Sequence, residues 1–252
     1  LRIIVVDNGT TDPRTLALYE EMRVGSLLFE AHVRAEPFNF SRQINRGLDL
    51  SDGEILLLAN NDLEIRDVSW LKEMVSCFDL PEVGVVGAKL LYPDGTIQHA
   101  GVIAGYGGLA GHWYLGRPSD FPGAMGRLRV RQSMTVVTGA CMAISRACLE
   151  QVGRFDEERF AVAYNDVDFC LRAHAAGFRI VWTPFAELIH YESASRGSDE
   201  TGANAERFRG EQARLRERHA TDRFLDRALN PWYGRTHSNP EPVRLPRLPA
   251  PW

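Results

Sequence analysis

Two apolar runs that each end in an acid constrain this chain more than any other feature. "LRIIVVD" occupies residues 1–7 and "EILLLANND" residues 54–62. Neither run alternates polar with apolar residues, so each reads as a strand buried on both faces, as in parallel sheets. Between them "NGTTDP" gives a turn with an N-cap signal, followed by a helix over residues 13–23. "SLLFEAHV" reads as a second strand and "NFSRQINRGLDL" as a second helix, closed by Gly53. Beyond Asp62, "SWLKEMVSCF" is an amphipathic helix, "VGVVGAKLLY" a strand and "PDG" a turn. Strands alternating with helices build a doubly wound α/β sheet, and ligands bind such sheets beyond the carboxyl ends of the strands. Asp7 and Asp62 are therefore expected to face one crevice.

The second half reads differently. Residues 96–137 are Gly-rich and weakly periodic. "VVTGACMAISRACLEQVGRFDE" gives a strand-like run and a helix. "NDVDFCLRAHAAGF" is a helix with Asn165 as N-cap, Asp168 three residues on and Gly177 at its end. "RIVWTP" is a further strand. Residues 203–229 are charged and read as helical, and residues 230–252 as a Pro-rich extended tail.

Composition narrows the function classes. At 252 residues with 44% hydrophobic content, the chain can bury one sizeable core. A net charge of −4 supplies no basic field for nucleic acid or anionic membrane. Cys77, Cys141, Cys148 and Cys170 form no CxxC pair and sit among apolar residues, which reads as buried thiols in a reducing cytosol. There is no apolar run of the ~18 residues a membrane span needs. The chain opens directly on an apolar strand without Met, which suggests a piece of a longer protein.

Three sites carry chemistry. The strand ending "LLLANNDLEI" delivers Asn60, Asn61 and Asp62 to its carboxyl end, an oxygen-rich set suited to Mg²⁺ or Mn²⁺. The plainer alternative for Asp62 is a turn residue. In "AYNDVDFCLR", Asp166 falls in the first turn of a helix, where the dipole keeps it ionised and able to take a proton. Asn165 and Asp168 read as caps. In "ELIHYESASRG", His190 closes an apolar stretch and is a candidate ligand. His32, His99, His112, His174, His219 and His237 carry less weight. Arg196 beside Gly197 is placed to pair with a phosphate.

"IIVVDNGTTD", "LLLANND", "VVTGACMAISR", "GRFDEERFAVAYNDVDFCLR" and "VWTPFAELIHYESASRG" together resemble the inverting GT-A glycosyltransferases of family 2 type, which include O-antigen and other bacterial polysaccharide enzymes. The resemblance covers residues 1–200. It implies a GT-A α/β fold with a mostly parallel central sheet, a nucleotide-sugar half over 1–95 and an acceptor half over 96–200. It implies Asp7, Asn8, Asn60, Asn61 and Arg196 as donor-binding residues and Thr138, Gly139 and Ala140 as the acceptor-side loop. Asp62 and His190 match the ligands of a divalent metal, Mn²⁺ or Mg²⁺, and Asp166 matches the catalytic base. The partners implied are a nucleotide-diphosphate sugar and a glycan or lipid-linked acceptor, in the cytoplasm or at the inner face of the membrane.

The family often has Glu where Asn165 stands and Asp where Asn60 stands, so the site carries less negative charge. Relatives also begin with an apolar strand ahead of "VVDNG", lying between the strands at 3–7 and 55–59. Without it each neighbour exposes an apolar edge. The two edges are then expected to pair directly or to recruit a strand from elsewhere, such as another copy of the chain. A non-catalytic GT-A module within a larger protein is the alternative reading. A processive synthase lacks support, for want of QxxRW and membrane helices, as does a nicotinamide enzyme, since "DNGTTD" is not GxGxxG.

Overall fold

The first acid-ended run is β1 (Arg2–Asp7) in a computed structural model that describes residues 1–25, 28–191, 203–236 and 239. Asp12 caps α1 (Pro13–Arg23) by accepting from the Arg14 amide, with Pro13 opening the helix where no N–H is needed. β2 (Leu28–Val33) returns parallel to β1, pairing Arg2 with Leu28 through Asp7 with Val33. Asn39 caps α2 (Phe40–Leu50), its side chain accepting from the Arg42 amide. α2 lies on β1, close enough that a Cβ on Gly47 would stand 3.5 Å from Val6 Cγ2.

The second run is β3 (Ile55–Ala59), followed by the short β4 (Leu63–Ile65) and α3 (Trp70–Ser76). β5 (Val83–Leu91) is buried at every position and forms the spine of a seven-stranded sheet. β6 (Ile97–His99), β7 (Val102–Ala104), β8 (Ala110–His112) and β9 (Gln132–Met134) fill the Gly-rich stretch with three-residue strands. β10 (Cys141–Ser145) leads into α4 (Arg146–Val152). α5 (Asn165–Ala175) then leads to β11 (Arg179–His190), and α6 (Ala203–His219) follows.

The α/β architecture expected from the sequence stands, with one revision. The order is β3-β10-β5-β11-β4, with β6 on β5 and β9 on β11. β10 is antiparallel to both β3 and β5, while β11 is parallel to β5. The long apolar strands β3, β5 and β11 thus share a direction, but β5–β11 is the parallel pair of this sheet and the rest are antiparallel. The sheet is mixed because β10 threads between two strands that the apolar runs alone would place as parallel neighbours.

Of the two outcomes expected for these edges, direct pairing of β1 with β3 does not occur. β1 and β2 form their own two-stranded sheet, and β3 pairs with β10. One further reading is corrected. The helix expected over 203–229 ends at His219, where Ala220 turns to φ 51°, and residues 221–229 form turns around the buried carboxylate of Asp226. Asp226 accepts from the Ala104 and Ala228 amides at 2.8 Å and from Thr135 Oγ1 at 2.5 Å, which ties these turns to β7 and to the residue after β9. The described start of the Pro-rich tail is packed, with Arg235 Nη1 donating to Phe224 O at 2.6 Å. Among the described residues no helix is long and apolar enough to cross a membrane.

Candidate active site

The Asn60–Asp62 turn is fastened at both ends. The Asn60 amide donates to Ala140 O at 2.9 Å, and the Tyr191 amide donates to Asp62 O at 3.0 Å. β4 pairs with the end of β11, setting Leu63 opposite His190. This register brings Asp62 Oδ1 to 3.0 Å from His190 Nε2. Asn60 Nδ2 lies 3.3 Å from the same nitrogen. Asn61 is exposed beside them.

Asp62 Oδ1 is buried and has no hydrogen-bond partner. A buried carboxylate oxygen without a donor is costly, so it asks for a proton or a cation. Across from it, His190 Nδ1 is 2.7 Å from Gln98 Oε1, an oxygen that only accepts. With its proton on Nδ1, the neutral ring turns the Nε2 lone pair toward Asp62. An imidazole nitrogen and a carboxylate oxygen facing each other fit one divalent cation. No group of three His, Cys, Asp or Glu gathers here or elsewhere among the described residues. That matches Mg²⁺ and Mn²⁺ chemistry, in which one or two protein ligands leave the remaining positions to water and substrate phosphates.

Asp166 is built in the opposite manner. Its Oδ2 accepts from the Gly139 amide at 2.9 Å and its Oδ1 from the Val167 amide at 2.8 Å. The loop runs close against this carboxylate: a Cβ on Gly139 would lie 3.4 Å from Asp166 Cβ, an ordinary contact. The Thr138–Ala140 loop therefore links the two ends of the site, holding Asp166 through one residue and Asn60 through the next. Behind it lies a buried polar layer. The Thr138 amide donates to His99 Nε2 at 3.4 Å, and His99 Nδ1 is 3.2 Å from His112 Nδ1. Burial holds His99 well below its usual value, so the ring is neutral, and the neighbouring His112 and His190 push the same way.

Asn165 is not the N-cap that the sequence suggests. The cap is Tyr164, in the left-handed region at φ 60° and ψ 9°. Asn165 is the first helical residue, buried, with Nδ2 donating to Val162 O at 2.5 Å. Asp168 is no surface cap either: it is fully buried and accepts from Arg172 Nε at 2.9 Å and His219 Nε2 at 2.8 Å. Gly177 does end the helix at φ 92° as expected.

α6 holds the strained turn before Asp166. Glu211, fully buried, accepts from the Val162 amide at 2.9 Å and the Ala163 amide at 3.2 Å. The Tyr164 ring stacks on Phe208 at 5.6 Å, and Gln212 Nε2 donates to its hydroxyl at 3.3 Å. A positive φ at a bulky residue persists only when its surroundings over-determine it, and α6 supplies those surroundings.

The remaining expected donor residues are engaged locally. Asp7 Oδ1 accepts from the Gly9 and Thr10 amides at 2.8 and 2.7 Å, and its Oδ2 accepts from Tyr19 at 2.7 Å. Asn8 bonds Glu36 O and Gln43 Nε2 at 3.1 and 2.7 Å. None of these bonds joins Asp7 to Asp62. Arg196 lies outside the described residues. Sequence reading misses Gln98 and Glu211. Gln98 carries one signal, a polar pair "QH" set between Ile97 and Ala100; Glu211 carries none for its hold on this turn, because the Val162 and Ala163 amides lie 49 and 48 residues away.

An acid turn at a strand end, a late imidazole and a helix-borne carboxylate on a mixed α/β sheet define a GT-A type transferase domain. Solved structures agree on the fold. A Pyrobaculum calidifontis mannosyltransferase in complex with GDP-Man and Mn²⁺ is 21% identical, covering 78% of this chain and 49% of its own, with a TM-score of 0.55. GalNAc-T7 with UDP, GalNAc and Mn²⁺ is 13% identical, covering 86% of this chain and 42% of its own, with a TM-score of 0.65. Residues 31–213 match the "Glycosyltransferase like family 2" family, and the chain belongs to it. An uncharacterised protein of Sinorhizobium fredii is 44% identical over 229 residues, 91% of this chain. The O-antigen biosynthesis protein RfbC of Myxococcus xanthus is 43% identical over 203 residues, 78% of this chain. The chain spans 25% and 15% of those two relatives.

Proposed function

We propose that this domain moves a sugar from a nucleotide-diphosphate donor to a hydroxyl of a glycan or lipid-linked acceptor, in one inverting displacement. The observation that carries the reading is the Thr138–Ala140 loop, which joins the Asn60–Asp62 turn and Asp166 in one site. Asp62 and His190 would hold a Mn²⁺ or Mg²⁺ ion, which when bound supplies positive charge against the diphosphate. Asn60 stays beside them as a neutral donor. Asp166 takes the proton of the acceptor hydroxyl as its oxygen attacks the anomeric carbon and the bond to the diphosphate oxygen breaks. The two amides on Asp166 fix where its oxygens stand for that transfer. Asp7, Asn8 and Asn61 are assigned to the donor side, Thr138 and Ala140 with Gly139 to the acceptor side, and the reaction to the cytoplasmic face of a membrane. The edges of β1 and β3 that carry no strand among the described residues are assigned to self-association, for which sedimentation is the direct check.

The test is a screen of nucleotide sugars with Mn²⁺, with Mg²⁺ and with chelator, reading thermal shift and nucleoside diphosphate release. Metal-dependent release with one donor is the expected result. Stabilisation by donors without any release, across acceptors, would favour a non-catalytic sugar-binding module instead.

A further inference from the structure

β6 is three residues long, polar at two of them, and buried throughout. Buried polar strands need a reason, and here Gln98 makes two contacts to one residue. Its Oε1 is 2.7 Å from His190 Nδ1, and its Nε2 donates to His190 O at 3.4 Å. The pair fixes which way the amide points. The carbonyl oxygen of His190 only accepts, so the NH₂ end must face it. The oxygen end must then face Nδ1, and it can be satisfied there only by an N–H. In the neutral ring, which carries a single proton, His190 is then left with its lone pair on Nε2, where Asn60 Nδ2 at 3.3 Å can donate and Asp62 Oδ1 at 3.0 Å cannot.

We propose that Gln98 is a positioning residue that locks His190 in the Nδ1–H tautomer and thereby keeps Asp62 and the His190 Nε2 lone pair open to a divalent cation. This rests on the metal reading above. The competing state is specific. If the proton moves to Nε2, His190 can donate to Asp62, closing the orphaned oxygen and removing both ligands at once. Gln98 blocks that state because its oxygen would then face a bare Nδ1. Outer partners that fix a metal-binding imidazole in this way are worth roughly 10–100-fold in affinity. Gln98 is itself anchored on both sides. Leu90 and Leu91 of β5 pair with the residues flanking it, and its own carbonyl lies 3.0 Å from His112 Nδ1.

The experiment uses metal-free, ¹⁵N-labelled protein at a pH where the ring is neutral. Ring-nitrogen shifts of His190 report the tautomer directly, without activity or metal. Wild type is expected to show Nδ1–H alone. Gln98→Leu is expected to show the Nε2–H form and to bind Mn²⁺, titrated alone and read by electron paramagnetic resonance, about 10–100-fold more weakly. Gln98→Glu keeps an acceptor at Nδ1 and is expected to restore the Nδ1–H form; it also serves should the Leu variant fail to fold. A Leu variant that folds and keeps the wild-type tautomer overturns the proposal. A tautomer that switches as expected, in a protein that takes up no Mn²⁺ with or without the Gln98 change, leaves the assignment of Gln98 standing and overturns the metal reading.

Discussion

Asp62 and Asp166 are both carboxylates at element ends, and the Thr138–Ala140 loop joins them, yet they are held in contrasting ways. Asp166 has an amide on each oxygen, and the turn before it is gripped by α6. Asp62 has a buried oxygen with no donor, facing an imidazole lone pair. A satisfied carboxylate is held in one place, ready to act there. An unsatisfied one stores free energy that a cation releases on binding. The roles proposed above, proton transfer at Asp166 and cation binding at Asp62, follow this difference, and it can be broken at either end.

The base end should show the greater loss. Asp166→Asn removes the proton acceptor while keeping an oxygen for one amide. Turnover is expected to fall by roughly 10²–10⁴, with donor affinity, measured by calorimetry, unchanged. Turnover within a few-fold of wild type would remove Asp166 from the role of base. The metal end should behave differently. Asp62→Asn is expected to weaken Mn²⁺ binding by more than the roughly 10–100-fold that loss of an outer partner costs. It should also stabilise the metal-free protein, because an amide NH₂ at that position can take over from Asn60 as the nearer donor to His190 Nε2 and no anionic oxygen is left buried without a partner. One such bond is worth about 1 kcal/mol, or roughly 2–4 °C in Tm for a chain of this size. A melt in chelator that shows a lower Tm for the variant would mean that Asp62 is a satisfied structural residue after all, and the contrast would collapse.

These two ends also differ in how far the sequence reveals them. β1 and β3 are legible as strands, because continuous apolar runs are local signals, but both are largely part-buried and not buried on both faces as the runs suggest. α1 and α2 follow from Asp12 and Asn39, whose caps act within a few residues. β10 is visible as a strand, but its insertion between β3 and β5 is not, since strand order depends on long-range packing. The Asp62–His190 pair is legible as residue types in family order, though the missing hydrogen bond is not. Around Asp166 the local signals mislead. "YND" looks like a helix start at Asn165, yet Phe208 and Gln212 make Tyr164 the cap from 44 and 48 residues away. Asp168 is a first-turn acid that reads as a cap, but it is buried against Arg218 and His219 instead.

Glu211 tests the grip on the base end, with the smallest effect. Replacing it by Gln leaves an oxygen for one of the two amides at Val162 and Ala163, at a cost of roughly 1–3 kcal/mol. Tyr164 then loses part of what holds its left-handed backbone, and Asp166 shifts with it. The kcat is expected to fall by less than the ~10² that a 1 Å displacement of a reacting group costs, with KM for the donor and Mn²⁺ affinity unchanged. A fall in Mn²⁺ affinity as well would show that α6 supports the whole site rather than its base end. pH gives a second handle. Burial raises the Glu211 carboxyl, against the lowering effect of the Val162 and Ala163 amides and of Arg207 and Arg214. Its folded value lies above the unfolded one, so the neutral acid favours folding. That contribution is complete below the unfolded carboxyl value and is lost as pH rises through the folded one. Gln does not titrate there, so the stability of wild type relative to Glu211→Gln should be greatest in acid and shrink as pH rises through the carboxyl range. Thermal melts of both proteins across that range read the sign directly, and a gap that widens with pH would mean that the carboxylate, not the acid, is the form that α6 presents to the turn.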